Sequence, residues 1–200
     1  MKEFFSRYSY STVKLYVTQI AIGLFGAVLA MATSGIGEIL LLVTGIFSML
    51  FYLFLTYTSV WTIGANDRIS LDVGKLKKNS FRGVLISLLA NIPNFIIATV
   101  YTVCWFIAHG EPSTATSVGG FMRILTMITE GMYYGIMSAL PLGAELAAKL
   151  FTCWWMYFVI TLPTIIVSGV AYWLGTKNFK LTKMMEPLYP ESDREPKRKK

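Results

Sequence analysis

Two short stretches of otherwise apolar sequence carry residues suited to binding something polar. "ANIPNFII" (90–97) sets Asn91 and Asn94 around Pro93, and "ITLPTIIV" (160–167) sets Thr161 and Thr164 around Pro163. Each places a polar side chain two residues before the proline and one after it. A proline inside a helix has no N–H to donate, and its ring displaces the carbonyl four residues back, here that of Leu89 or Val159. In lipid, a freed carbonyl has to be satisfied by protein or water. Paired interruptions of this kind point to the central site of a transporter. The competing reading is two proline kinks whose Asn and Thr side chains join neighbouring helices. The candidate solute-binding or kink residues are therefore Asn91, Pro93, Asn94, Thr161, Pro163 and Thr164.

A second candidate lies in "MITEGMYYG" (127–135). Glu130 follows Arg123 by seven residues, so a helix carries both on one face. An ionisable residue at membrane depth is a functional-site hypothesis by default. At the bilayer surface the same glutamate is simply solvated or paired. If the segment folds inward, Glu130 and Tyr133 are the candidate gate over a cavity beneath.

No catalytic or metal constellation accompanies them. His109 is the single histidine, Cys104 and Cys153 are the two cysteines, and neither CxxC nor HExxH occurs. No enzyme activity, metal site or cofactor is expected. The cysteines are too few for a disulfide framework, and a bridge between them requires close Cα positions. Gly74-Lys75 is not a phosphate-binding loop, because Leu76 replaces the hydroxyl residue and Ile69 the first glycine. The net charge of +7 comes without any nucleic-acid motif.

The elements that would position these residues follow from where charge is absent. The chain is 54% hydrophobic and 14% charged, against about 45–50% and 25% in soluble domains. Uncharged runs cover 15–37, 39–66, 83–110 and 150–176, each longer than the roughly 20 residues that cross a bilayer. The fold class is all-α, a polytopic helical bundle in the membrane. Full spans are expected at about 13–33, 39–63, 83–109 and 150–175. The first of these is too long for the apolar core of a signal peptide. Segment 111–148 is read as an outer cap, re-entrant or interfacial, because its longest apolar uncharged run, 131–144, is too short to cross. The alternative is five transmembrane helices, with 120–142 crossing. Residues 1–175 form a single helical domain, and 176–200 a basic tail expected to be disordered.

Basic residues flank the spans asymmetrically. All but Arg123 and Lys149 fall before the first span, between the second and third, or in the tail. Such residues mark the cytoplasmic side, so both termini are expected there, in a multi-pass protein of the cell membrane. Arg68, Lys75, Lys77, Lys78 and Arg82 would meet an anionic inner leaflet or a cytoplasmic partner, with Ile69, Val73 and Leu76 as the apolar face of a short surface helix. Gly23, Gly26, Ala27 and Ala30 form a small-residue stripe for close helix packing, within the chain or in a homo-oligomer. The functional expectation is a small membrane protein of transport type. The alternative is a non-catalytic accessory or scaffold subunit with a membrane-protein partner.

Overall fold

A computed structural model describes residues 2–74, 79, 81–108, 114–140 and 153–177. The described residues are predominantly helical, without strands. In chain order they form α1 (Lys2–Ser34), α2 (Glu38–Asp72), α3 (Arg82–Ala90), α4 (Ile92–Ala108), α5 (Thr114–Glu130), a 3₁₀ turn (Gly131–Tyr133), α6 (Tyr134–Ala139), α7 (Met156–Val159) and α8 (Leu162–Thr176). Three helical stretches are long and apolar enough to cross a membrane: Phe4–Ser34, Glu38–Asp72 and Met156–Thr176. The α3–α4 pair becomes a fourth if its two bent halves count as one span.

The first two helices outrun the charge-free runs that announced them. α1 starts well before residue 13, and α2 continues nine residues past 63. Residues 66–72 are therefore the last turns of α2 rather than part of a separate surface helix. Ile69 and Val73 are exposed. The helix stops at Gly74, whose φ of +74° is a left-handed conformation that glycine adopts without a Cβ clash. Lys75, Lys77 and Lys78 lie outside the described residues, as do 178–200 of the tail and 141–152.

Along α2 the buried positions are Leu41, Gly45, Ser48, Tyr52, Thr56, Val60, Gly64 and Asp67. They recur every three or four residues, a single helical stripe, and five of the eight are glycine or carry a hydroxyl or carboxylate outside an aromatic ring. The large apolar side chains Ile39, Val43, Phe47, Leu50 and Phe54 point outward instead. α1 and α8 repeat the pattern, with Gln19 and Ser168 inside and Val17, Leu24, Ile166 and Val170 outside. This arrangement suits a bundle surrounded by hydrocarbon, where small and polar residues pack helix against helix.

α2 packs most extensively against α8. Their backbones meet at two glycines: a Cβ on Gly64 would strike the carbonyl of Tyr172, and one on Gly175 the carbonyl of Trp61. Beside that crossing, Asp67 is 3% exposed and collects partners from other helices. Arg7 donates to its Oδ1 at 2.9 Å, Tyr172 to its Oδ2 at 2.9 Å, and Tyr8 also to Oδ2. Arg82, at the start of α3, hydrogen-bonds Tyr172. One carboxylate thus ties α1, α2, α3 and α8 together at the end of the bundle that carries residues 2 and 177.

Both proline segments are helix breaks. α3 and α4 bend by 53° about Asn91, and α7 and α8 are separated by Ile160-Thr161. Pro93 and Pro163 each fall in the first turn of the following helix, where a missing N–H costs nothing. The two breaks face each other. α3 packs on α8 and α4 on α7. A Cβ on Gly169 would touch Val84, and Phe95 stacks on Phe158 with centroids 6.5 Å apart. That antiparallel register is the same on either side of the breaks and sets Asn91 opposite Leu162 and Thr161 opposite Ile92.

The segment read as a cap holds α5, the 3₁₀ turn and α6. The start of α5 lies against the end of α4, with Gly119 over Cys104. Its end lies against the middle of α1, and α6 reaches Leu41 and Gly45 near the start of α2. Among the described residues of 120–142, the helix is interrupted by the 3₁₀ turn at Gly131–Tyr133.

Candidate functional site

Four glycines let α5 and its turn sink into the bundle. A Cβ on Gly23 would meet the carbonyls of Ile128 and Thr129, and one on Gly26 the backbone of Gly131 and Met132. From the other side, Gly131 faces the carbonyl of Gly23 and the Cβ of Ala27, and Gly135 faces the α2 backbone at Leu41 and Gly45. Ala30 is also buried. The small-residue stripe of α1 is therefore occupied within the chain.

This close approach places Glu130 at the end of α5, 3% exposed. Its Oε1 has no hydrogen-bond partner among the described residues. Tyr16, Tyr52 and Tyr133 lie within electrostatic range. Glu130 lines a cavity of about 220 Å³ together with Arg123, Thr126, Tyr134, Met137 and Tyr157. Through Gly120 and Arg123 the cavity adjoins a wider recess of about 630 Å³ between α4 and α5, walled by Tyr101, Cys104 and Trp105. Arg123 hydrogen-bonds Tyr157, and Tyr157 in turn hydrogen-bonds Tyr101, their rings 4.6 Å apart. Arg123 and Glu130 share one face of α5, and with the tyrosines and methionines of the same lining they give the cavity groups that can hydrogen-bond and orient a polar molecule.

The remaining sequence candidates fall in distinct places. Tyr133 and Thr164 come together, their hydroxyls 3.2 Å apart, so the gate segment rests directly on α8. Asn91 is 1% exposed and donates to the carbonyl of Ser87 at 2.9 Å. Its Oδ1 accepts from Asn94 at 2.9 Å and from Gln19 at 3.4 Å. Thr161 donates to the carbonyl of Phe158. None of Asn91, Asn94, Thr161 and Thr164 lines the cavity or the recess at α5. Pro93 borders a separate apolar groove of about 300 Å³, with Phe4, Tyr8, Val13 and Leu89. Arg68 makes an ion pair with Asp72 at 3.6 Å, whereas Arg82 is buried and turned into the bundle rather than toward a leaflet. Cys104 and Cys153 are free, and no three His, Cys, Asp or Glu side chains cluster among the described residues.

The asparagine pair yields a direct prediction. Asn91→Leu removes the acceptor of Asn94 and Gln19 and leaves both amides buried, a loss of about 1–2 kcal/mol. Pro93→Ala, in a turn where no N–H is required, should change stability by less than about 1 kcal/mol. Denaturation of the detergent-solubilised chain measures both, and equal losses would contradict the assignment of the break to Asn91.

Sequence reasoning did not single out Gln19, Asp67, Tyr101 or Tyr157. Gln19 and Asp67 had a signal: each continues a glycine-bearing stripe, Gln19 four residues before Gly23 and Asp67 three after Gly64. The two tyrosines had none, because they meet Arg123 only in the folded bundle.

Comparison with protein-family models, with curated proteins and with solved structures finds no match for this chain.

Proposed function

We propose that this chain is a small integral membrane protein of transport type that holds a small polar solute against Glu130. The observation that carries this reading is the Glu130 carboxylate, buried with one oxygen unpartnered, on a residue that lines a cavity adjoining a wider recess. Burying such a group without a partner is costly, and ionisable residues at membrane depth mark substrate and ion pathways. The candidate site thus moves from the proline breaks to the α5 cavity, with Tyr133 and Thr164 beneath it.

In the membrane, α1, α2, α3–α4 and α7–α8 would make four crossings, with α5–α6 as a re-entrant element from the outer face. The distribution of basic residues supports an orientation with the Asp67 end on the cytoplasmic side of a cell membrane. An accessory-subunit role draws support from the breaks, whose asparagines are tied to one another rather than offered to a ligand.

The test is mass spectrometry of small molecules that co-purify with the full chain in mild detergent. Wild type is expected to retain a solute that Glu130→Gln loses at least tenfold while eluting unchanged. Equal retention by both, or a stoichiometric partner protein without any solute, would remove the reading.

A further inference from the structure

We infer that Gly120 sets the width of one passage by which a solute travels from the α4–α5 recess to the cavity beside Glu130, a refinement that rests on the solute-binding reading above. The recess and the cavity share two lining residues, Gly120 and Arg123. Along α5 the recess runs from Thr116 through Gly119 and Gly120 to Arg123, and the cavity runs on from Gly120 to Glu130. These positions recur at helical spacing on one side of α5, a track of about 21 Å at 1.5 Å per residue. Across the recess, Tyr101, Cys104, Trp105 and Ala108 share one face of α4 by the same spacing.

Gly120 stands apart from the other glycines inside the described helices. At each of those, a Cβ would come within 3.4 Å of a neighbouring atom, so the missing side chain permits a close contact. At Gly120 nothing lies within 4 Å of a Cβ. Gly35, Gly37 and Gly74 have open surroundings too, but they lie between helices or at a helix end. Glycine is the poorest helix former after proline, and here it permits no packing contact in return. What it leaves is empty space where recess and cavity adjoin. A side chain at this position would lean toward the N-terminal end of α5, over the recess. The recess measures about 630 Å³ and the cavity about 220 Å³, so selection by size falls at their junction.

The probe is 2-(trimethylammonio)ethyl methanethiosulfonate, a thiol reagent whose fixed charge keeps it out of detergent hydrocarbon. The reporter is Thr126→Cys, in the cavity lining, in the full chain carrying Cys104→Ser and Cys153→Ser. The reporter is expected to react, and added Gly120→Phe should slow that reaction at least tenfold. Gly120→Leu takes the place of Gly120→Phe if the latter does not elute as a single species. In the otherwise unaltered chain, Gly120→Ala should raise the melting temperature, because it meets no neighbour and favours the helix. A reporter that never reacts, equal rates with and without the bulky side chain, or a lower melting temperature for Gly120→Ala overturns the inference. If rates are equal while Glu130→Gln still loses a co-purifying solute, the inference fails and the solute-binding reading survives. If the bulky side chain blocks labelling but nothing co-purifies with the wild type, the width-setting role stands and the solute-binding reading falls.

Discussion

Asp67→Ala is expected to destabilise the bundle by about 2–4 kcal/mol, because it strips a buried acceptor from three donors at once. Tyr8 and Tyr172 reach the same oxygen from α1 and α8, and both hydroxyls would be left buried near Arg82. Arg7 is the less consequential partner, since 41% of its side chain is exposed. Arg7→Gln should cost about 1 kcal/mol or less. Asp67→Asn, which keeps an acceptor, should fall between the two. Unfolding of the detergent-solubilised chain orders the three variants. Arg7→Gln proving as damaging as Asp67→Ala would show that the ion pair, not the tyrosine hydroxyls, dominates.

The second large effect belongs to the crossing next to that carboxylate. Gly64→Val and Gly175→Val each drive a branched side chain into the backbone of the facing helix. Backbone cannot yield as a side chain tip can, so each should cost about 3 kcal/mol or more and block assembly of the fold. Gly35→Ala is the control, since nothing lies within 4 Å of a Cβ there, and it should stay within about 0.5 kcal/mol. The readout is yield and monodispersity on size exclusion. Normal behaviour of Gly64→Val would mean that α2 and α8 are farther apart than the structure places them.

The helical character of the chain was legible because the charge-free runs are long and uninterrupted. Their ends misled for a physical reason: Arg7, Asp67 and Ser70 are polar yet sit inside helices, where they satisfy one another. A run bounded by charge therefore underestimates a helix whose charges are paired across to a neighbour. The prolines announced where α3–α4 and α7–α8 break, since a ring that removes an N–H acts locally. That the breaks lie opposite one another was not legible, because register depends on which helices are neighbours. The same holds for the candidate site. Spacing put Arg123 and Glu130 on one face, but the walls from α4 and α7, and the glycines that let α5 approach α1, are facts of tertiary packing. The close contacts of Gly23 and Gly26 with Ile128–Met132 could not be told in advance from contacts with a second copy.

A helix owes its bending stiffness to an unbroken ladder of backbone hydrogen bonds. Two neighbouring helices that lose rungs at one height share a transverse fulcrum, with a short stiff pair above it and another below. Lateral load on such a bundle concentrates at residues 91–93 and 160–163. Displacement of the upper pair need not strain the carboxylate lock that fastens the lower one.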